Sequence, residues 1–332
     1  MRTIAIDAMG GEHAPEAIVE AVLAAKSEMP QTKLILFGDA ARLQKLIPAT
    51  ALDGHLEIVG TTEVIQDEDE PVKAIRHKKD ASLVVAARYV KAGKADALLS
   101  LGNTGALLAA SIFIIGRIKG VARPGLMPTL PAQGSTTGFN MIDVGANAQS
   151  KPEFLLEWAK MAACYVTEMR GVVKPSVGLL NNGAEFDKGD PTHQTAYQLL
   201  KDSELNFVGN VEGNDLLAGK AEVIVTDGFT GNAALKTIEG TAGVLLHQLK
   251  AVLLNGTLTT KIGALLVKNA LSSLRQTFDT ARYGGAVLLG VNAPVVKTHG
   301  RSTKRPIYYT LKQLDKMLAK DVIGKFRAQF KQ

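Results

Sequence analysis

The sequence predicts an α/β protein in which a mainly parallel sheet is covered by helices on both faces. Short aliphatic or β-branched runs alternate along the chain with longer segments of helical periodicity. Most of the short runs end in Asp, Asn or Gly. The composition, with 46% hydrophobic and 21% charged residues among 332, is that of an ordinary globular chain able to bury a sizeable core.

Seven segments carry the strand pattern, and their alternation with helical segments indicates parallel strands joined by helical crossovers. In chain order they are 3–7, 33–38, 56–60, 97–100, 139–144, 177–180 and 222–227. Ligands of open parallel sheets collect beyond the carboxyl ends of the strands. We therefore treat residues 1–332 as one α/β domain, with a division near residue 150 as the alternative. We expect a site in the polar loops that follow these segments.

Residues 240–278 are a separate feature, because they contain no Asp or Glu but several Lys and Arg. Their apolar positions recur at helical spacing on both sides of Asn255-Gly256. This pattern predicts a cationic helical hairpin.

The C-terminal segment is basic and amphipathic. From Lys297 onward the chain has ten Lys or Arg and two Asp. Apolar residues recur every three or four positions over 306–330, which predicts a single helix that packs on the core. The basic side chains of this helix remain available for an acidic partner or an anionic membrane surface. They are Lys312, Lys316, Lys320, Lys325 and Arg327.

Several features bear on the cellular location. Cys164 is the only cysteine, which excludes an intrachain disulfide, and we expect it to be a packing residue. Asp7 falls where a secretory signal would be apolar, so we expect the protein to stay in the cytoplasm. The uncharged stretch 97–116 is interrupted by Ser100 and by Gly-Asn-Thr-Gly, which favours a buried strand, a turn and a helix over a membrane span.

Familiar catalytic motifs are absent. No two glycines lie two residues apart, which excludes GxGxxG, and no GxxxxGK[ST] phosphate loop occurs. The six histidines include no i,i+4 pair, and no GxSxG is present, which disfavours zinc proteases and α/β-hydrolases.

Five short polar turns that contain glycine follow predicted strands instead. They lie at 7–11, 102–106, 143–147, 181–190 and 226–232. One such turn is more often only a turn or a helix cap, but five in one chain favour a site for an anion, because glycine lets backbone N–H groups approach a ligand closely. Lys188, in the fourth turn, is either a surface lysine or the cation of that site.

In order along the chain, seven motifs resemble those of the bacterial phosphate acyltransferases of phospholipid synthesis. They are Asp-Ala-Met-Gly-Gly (7–11), Arg-His-Lys-Lys-Asp-Ala-Ser (76–82), Gly-Asn-Thr-Gly-Ala (102–106), Asp-Val-Gly-Ala-Asn (143–147), Asn-Asn-Gly-Ala-Glu (181–185), Thr-Asp-Gly-Phe-Thr-Gly-Asn (226–232) and Leu-Leu-Gly-Val-Asn-Ala-Pro (288–294). The resemblance covers residues 1–302. Glu12-His13 and Ala81 depart from the family pattern, and the extension after Arg301 is longer than the family leads us to expect.

The resemblance implies a three-layer α/β/α sandwich similar to the isocitrate and isopropylmalate dehydrogenases. It implies an enzyme that moves a fatty acyl group from acyl carrier protein to orthophosphate, giving acyl-phosphate for phosphatidic acid synthesis. It further implies a homodimer at the inner face of the cell membrane, with the 240–278 hairpin used for dimer and peripheral membrane contact. A membrane glycerol-phosphate acyltransferase is a further implied partner, and no nucleic acid, cofactor or metal is expected.

Residue roles follow from the same resemblance. Lys188 is expected to bind phosphate, helped by the backbone N–H groups of Gly10, Gly11 and Gly105. The expected catalytic residues are Lys188, Asn232 and Asn103. The expected substrate-binding residues are Asp7, Gly10, Gly11, Thr104, Gly105, Asp143, Gly145, Asn147, Asn182, Gly183, Asp227 and Gly228. Asp143 and Asp227 are expected to orient loops rather than transfer protons. The basic residues Arg76, Lys78 and Lys79 are expected to contact the acidic partner.

Two other hypotheses stay open. One is a dehydrogenase or kinase that binds a nucleotide through a non-standard loop. The other is a non-catalytic adaptor, in which the hairpin and the basic C-terminus hold a membrane or acyl carrier protein while the polar turns are only structural. Neither accounts for the whole ordered set of motifs.

Overall fold

The computed structural model describes residues 1–255, 257–267 and 280–330. Its strands are β1 (Arg2–Asp7), β2 (Thr32–Gly38), β3 (Leu56–Gly60), β4 (Ala97–Ser100), β5 (Gly125–Met127), β6 (Thr129–Leu130), β7 (Phe139–Ile142), β8 (Ser176–Asn181), β9 (Asn206–Glu212), β10 (Val223–Val225), β11 (Ala286–Leu289) and β12 (Val295–Lys297). The seven predicted strands correspond to β1, β2, β3, β4, β7, β8 and β10.

The described α-helices alternate with the strands over most of the chain. They are α1 (Glu16–Lys26), α2 (Ala40–Leu46), α3 (Pro71–His77), α4 (Ser82–Lys91), α5 (Thr104–Ala110), α6 (Pro152–Arg170), α7 (Pro191–Lys201), α8 (Gly228–Asn255), α9 (Leu258–Leu266), α10 (Lys304–Ala319) and α11 (Val322–Gln329). The α/β class with mostly parallel strands is confirmed.

The strands form two sheets, whereas the sequence predicts one. The larger sheet has the order β3-β2-β1-β4-β12-β11-β5, in which β11 is antiparallel to both of its neighbours and the other pairs are parallel. The smaller sheet has the order β6-β7-β10-β8-β9, in which only β6 is antiparallel. The chain leaves the larger sheet at Met127 and enters the smaller one at Thr129, because Pro128 separates β5 from β6.

Local sequence signals set the ends of the helices that border the polar loops. Glu70 accepts hydrogen bonds from the N–H groups of Val72 and Lys73 ahead of α3, and Pro71 occupies the first helical position. Helix α7 begins in the same way, with Asp190 as the cap and Pro191 after it. The capping residues therefore place the start of each helix directly after a polar loop.

The largest core cluster includes buried residues of both sheets. Trp158 of α6 is fully buried within it, together with Phe326 of α11. A second cluster packs α4 and α5 against the larger sheet, and Ala146 of the smaller sheet's loops packs on it. The two sheets are thus joined by continuous apolar packing.

The C-terminal segment forms two helices rather than the single helix predicted over 306–330. The break falls at Asp321, which has a positive φ of 48° and caps α11 through Gly324 N–H. Ile307, Leu311 and Leu314 are buried, so the expected packing of this segment on the core is confirmed.

The basic side chains of this segment are engaged within the chain. Lys312 pairs with Glu28, and Lys325 pairs with Glu168. The ammonium groups of Lys316 and Lys320 donate to the carbonyl oxygens of Met169 and Glu168, and Arg327 donates to the carbonyl of Asn292. The expectation that these side chains are left available for a partner is therefore not supported.

Helices α8 and α9 contain much of the predicted hairpin. Large apolar side chains of both helices are exposed, among them Val244, Leu245, Val252, Leu265 and Leu266. The predicted hairpin residues 268–278 and Gly256 lie outside the described residues. None of the described helices combines the length and the hydropathy needed to cross a membrane.

Candidate active site

Polar loops collect at two edges of the fold. The larger-sheet edge consists of the loops after three adjacent parallel strands, β1, β4 and β12, at residues 8–11, 101–105 and 298–301. The smaller-sheet edge consists of the loops after β7, β10 and β8, at residues 143–147, 226–232 and 182–190. All five predicted glycine turns fall at one or the other edge, where ligands of parallel sheets bind.

Asp7 ties the larger-sheet edge together. Its buried carboxylate accepts hydrogen bonds from Ser82 Oγ at 2.6 Å and Ser100 Oγ at 2.7 Å. The backbone N–H groups of Met9 and Gly10 also donate to it, while burial raises its pKa above the usual range. Asp7 therefore holds three chain segments in place.

Gly10 is needed for a close backbone approach. A Cβ at this position would lie 2.6 Å from the backbone nitrogen of Gly102, a distance that real Cβ atoms do not reach. Gly11 lies against Leu101 and the carbonyl of Gly300, so the three loops of this edge are in contact. A small cleft lies beside them, lined in part by Asp7, Gly10, Gly102 and Asn103.

The side chain of Asn103 is fully engaged in the structure. Its Oδ1 accepts from Ala106 N–H at 2.9 Å and so caps α5. Its Nδ2 donates to the backbone carbonyls of Gln66, Asp67 and Asp69. Asn103 therefore clamps the 66–69 loop to the start of α5, and its expected catalytic role stays a prediction.

The predicted residues Thr104 and Gly105 begin α5, the helix that Asn103 caps. A Cβ at Gly105 would lie 2.5 Å from Cγ of Pro71. This position therefore serves the close packing of α5 on the start of α3.

Lys297, at the end of β12, is a residue of this edge that the sequence does not single out. Its Nζ donates to the carbonyls of Thr298 at 2.7 Å and Leu101 at 3.1 Å. Burial lowers its pKa to about 8, against the opposing influence of Asp67 and Asp7.

Asp143 organises the smaller-sheet edge. Its buried carboxylate accepts from the backbone N–H groups of Leu126, Ala146 and Asn147 at 2.8–2.9 Å and from Gly145 at 3.2 Å. Burial raises its pKa above the usual range. Because Leu126 belongs to β5, Asp143 also links the two sheets, which is the orienting role expected of it.

Asn147 is engaged like Asn103. Its Nδ2 donates to the carbonyl of Pro124 at 2.7 Å and to Asp143 at 2.9 Å. Gly228 packs against this loop, where a Cβ would lie 2.2 Å from the carbonyl oxygen of Asn147. The loops after β7 and β10 are therefore in direct contact.

Asn232 lies at this contact. It is half-buried in the first turns of α8, beside Gly145, where a Cβ would lie 3.4 Å from its Cγ. Asn103 and Asn147 use their amides within the protein, whereas the amides of Asn232 and of the exposed Asn182 make no hydrogen bond in the part of the chain that the structure describes.

Lys188 is exposed, and its stem lies over Gly183. Its backbone is held firmly, because Asn181 Nδ2 donates to its carbonyl at 3.0 Å. No ion pair or hydrogen bond holds its ammonium group within residues 1–255, 257–267 and 280–330. Asn182 is likewise exposed on this loop.

His193 joins two loops of this edge and is a second residue that the sequence does not single out. Its Nδ1 lies 2.8 Å from Asp190 and its Nε2 lies 3.5 Å from Asp227. The hydrogen bond with Asp227 is the largest influence that raises the pKa of His193, and Asp190 raises it further, while burial opposes both. Although burial alone would raise the pKa of Asp227, His193 and Thr230 hold it far below its usual range.

Asp227 also accepts from the N–H groups of Phe229 and Thr230 and thereby orients the start of α8, as expected. Of the predicted partner-binding residues, Lys78 is paired with Asp69 and donates to the carbonyl of Val64. Arg76 and Lys79 are exposed.

The remaining titratable groups do not suggest another chemistry. Among the described residues, no three His, Cys, Asp or Glu side chains are grouped as metal ligands. Burial raises the pKa of the Cys164 thiol to about 11, which fits a packing residue.

Comparison with known proteins gives a consistent picture. The model of the family described as "Fatty acid synthesis protein" matches residues 2–325. A phosphate acyltransferase of Lactobacillus acidophilus is 70% identical over 330 residues, covering 99% of each chain. A phosphate acyltransferase of Lactobacillus helveticus is 69% identical over the same length and coverage.

Solved structures share the fold at low sequence identity. A phosphotransacetylase from Streptococcus pyogenes superposes with a TM-score of 0.61 at 15% identity, covering 96% of this chain and 94% of that one. A 4-hydroxythreonine-4-phosphate dehydrogenase from Klebsiella pneumoniae superposes with a TM-score of 0.50 at 12% identity, covering 96% and 98%.

Proposed function

This chain belongs to the phosphate acyltransferase family, and from that premise we propose that it transfers a fatty acyl group from acyl carrier protein to orthophosphate at the smaller-sheet edge. The product, an acyl-phosphate, serves phospholipid synthesis. The observation that carries the choice of edge is that the Lys188 ammonium and the Asn232 amide have no partner within the described residues, whereas Asp143, Asn147 and Asp227 of the same edge are engaged with the protein.

The reaction needs position more than activation. Orthophosphate is already anionic at neutral pH, so an oxygen can attack the thioester carbonyl once its charge is offset and it is held in line. The C–O bond forms, a tetrahedral intermediate collapses, and the C–S bond breaks to release a thiolate. Because a thiol has a pKa of about 8.5, the thiolate departs and takes a proton from solvent without a strong acid.

Each free donor fits one demand of this reaction. The Lys188 ammonium attracts the phosphate and offsets its charge. The Asn232 amide donates to the oxygen that gains negative charge in the tetrahedral intermediate. Asp143, Asn147, His193 and Asp227 hold the loops that carry these two side chains, and no step requires them to transfer a proton.

Two exposed aromatic residues support the binding of an apolar acyl chain here. Phe186 lies two residues before Lys188 and is 64% exposed, and Phe229 lies three residues before Asn232 and is 74% exposed. Exposed aromatic rings beside free polar donors are typical of sites that bind ligands with both apolar and polar parts.

The assembly proposals rest on surface composition. The exposed apolar residues of α8 and α9 suit a dimer contact or a peripheral contact with the inner face of the cell membrane, where a glycerol-phosphate acyltransferase would receive the product. Arg76 and Lys79 suit acidic acyl carrier protein better than Lys78, whose charge is paired with Asp69.

The direct test is thiol release from acyl-[acyl carrier protein] by the purified chain, with and without orthophosphate, while acyl-phosphate is trapped as the hydroxamate. We expect release to depend on phosphate. Asn232→Ala should lower kcat by about 100-fold or more, as the loss of one oxyanion donor does in other enzymes. Lys188→Met should lower kcat/KM for phosphate by about 100-fold, because a charge-assisted contact to the anion is lost.

Matched controls lie at the opposite ends of the strands. Lys174 and Asn206 are exposed residues before β8 and at the start of β9, away from the carboxyl edge. Lys174→Met and Asn206→Ala should keep full activity. Phosphate-independent release by the wild-type chain, or full activity of both site variants, would overturn the proposal.

A further inference from the structure

Lys297 combines burial with the lack of an ion pair. It is half-buried at the end of β12, and no carboxylate lies within ion-pair distance of its Nζ in the described part of the chain. Asp7, the buried carboxylate of the same edge, is already bound by Ser82, Ser100 and backbone N–H groups. A buried cation without a paired anion costs stability, so its retention calls for a function.

We propose that Lys297 binds a phosphate group at the larger-sheet edge during acyl transfer. This inference rests on the proposed function and adds a second cationic contact on the other sheet. The register places Lys297 opposite Ser100 of β4, so its side chain belongs to the edge that Asp7 organises.

The hydrogen bonds of Lys297 leave one donor to spare. An ammonium group has three N–H donors, and the carbonyls of Leu101 and Thr298 accept two of them. These two carbonyls fix the position of the nitrogen beside Leu101, against which Gly11 packs. A cation held in this way is preorganised for an anion, because little side-chain entropy remains to be lost on binding.

A purely structural role would account for the two carbonyl contacts but not for the burial of a lysine that has no ion pair among the described residues. Lys316 provides the comparison, because its Nζ also donates to a backbone carbonyl, that of Met169, but it belongs to α10 and faces α6. If lysines at such positions only tie elements together, Lys297 and Lys316 will behave alike when they are replaced.

Two substrates of this reaction carry a phosphate group. One is orthophosphate, and the other is the acyl donor, whose thioester is joined to acyl carrier protein through the phosphate ester of the pantetheine arm. Both present anionic phosphate oxygens to a cation, so the structure assigns a phosphate group as the chemical class of the ligand. The choice of acyl donor in the experiment separates the two sources.

The experiment compares wild type, Lys297→Met, Lys297→Arg and the control Lys316→Met with two donors. One donor is acyl-[acyl carrier protein], and the other is an acyl N-acetylcysteamine thioester, which has no phosphate ester. If Lys297 binds orthophosphate, Lys297→Met raises KM for phosphate by about 10-fold or more with both donors. If Lys297 binds the phosphate ester of the pantetheine arm, Lys297→Met raises the KM for acyl-[acyl carrier protein] by a similar factor. The KM for the N-acetylcysteamine thioester then stays unchanged.

A binding measurement supplies a readout independent of turnover. Orthophosphate or phosphopantetheine added to the folded wild-type chain should raise its melting temperature, and the rise should be reduced in Lys297→Met but kept in Lys316→Met. Lys297→Arg keeps the charge and should retain part of the effect, which guards against a Met variant that folds poorly.

The outcomes separate the two proposals. Kinetics and phosphate stabilisation of Lys297→Met that match those of Lys316→Met, in a chain whose wild type is active, would overturn the role of Lys297 and leave the proposed function standing. A wild-type chain that releases no thiol with phosphate would overturn the proposed function itself.

Discussion

The two loop edges are organised in the same way, each around a buried aspartate, but they differ in how their lysines are held. Each has a buried aspartate directly after a strand, Asp7 at the larger sheet and Asp143 at the smaller. Serine hydroxyls supply the shortest hydrogen bonds to Asp7, whereas backbone N–H groups supply most of those to Asp143. The lysine of the first edge, Lys297, is held by two carbonyls, whereas the exposed ammonium of Lys188 at the second edge has no partner in the described part of the chain.

This difference shows which residues of a polar turn are left to contact a substrate. The aspartates are the most prominent residues of the motifs, yet their oxygens are taken up by the loops that they organise. Donors without a partner among the described residues remain at Lys188 and Asn232, and Lys297 has one N–H donor left beside the two that its carbonyl partners accept. Stability and activity should therefore respond to different residues at each edge.

The largest effect on stability is expected at Asp143. Asp143→Asn replaces one acceptor oxygen by an amide that faces fixed N–H donors, so we expect a loss of about 3 kcal/mol in the free energy of unfolding. Asp7→Asn should cost about 1 kcal/mol, because the hydroxyls of Ser82 and Ser100 can rotate to accept from the new amide. Urea denaturation of both variants measures the two values, and equal losses would remove this distinction between the edges.

The next largest effect on the free energy of unfolding is expected from the charge of Lys297. Its pKa of about 8 lies below the unfolded value of 10.5, so the folded state loses its proton first as the pH rises. The contribution of this group to stability is therefore lowest below about pH 8 and recovers toward about pH 10.5. We expect wild type to gain about 2 kcal/mol relative to Lys297→Met over this range. Urea midpoints measured across the range test this, and a constant difference would show that the lysine is not buried as a cation.

A smaller effect on stability, with the opposite pH dependence, is expected at His193. Its pKa is raised by Asp227 and Asp190, so its contribution to stability is complete below the unfolded value of 6.5 and is lost as the pH rises through the folded value. His193→Gln should cost about 1 kcal/mol at low pH and less above neutrality. A cost that does not change with pH would mean that His193 bridges the two loops as a neutral ring.

The sequence predicts seven of the twelve described strands, and those it misses include β11 and β12, short inner strands of the larger sheet, as well as β5, β6 and β9 at the sheet edges. The strands found by pattern, such as β1, β4 and β7, are buried aliphatic runs. The missed β5 and β6 have three and two residues, and β9 alternates poorly because it lies at an exposed edge. The division into two sheets was also missed, since a single Pro128 between two short strands gives little signal.

The candidate site, like the fold, could be predicted only in part from the sequence. Pattern and resemblance indicated the polar turns, and the structure places all of them at the two edges. Whether an amide is free or engaged depends on contacts distant in sequence, such as those of Asn103 with the 66–69 loop. Lys297 was missed for the same reason, because β12 lies beside β4 only after the chain returns from the smaller sheet.

The smallest effect on stability is expected at Lys188, where the comparison between the two lysines is sharpest. Its ammonium is exposed and makes no hydrogen bond or ion pair with the described residues, so Lys188→Met should change the free energy of unfolding by less than about 0.5 kcal/mol. The same variant should lose most of its phosphate-dependent turnover, because the charge serves the substrate and not the fold. A loss of stability of about 1 kcal/mol or more would place Lys188 among the residues that organise the loop and would leave Lys297 as the stronger candidate for the phosphate cation.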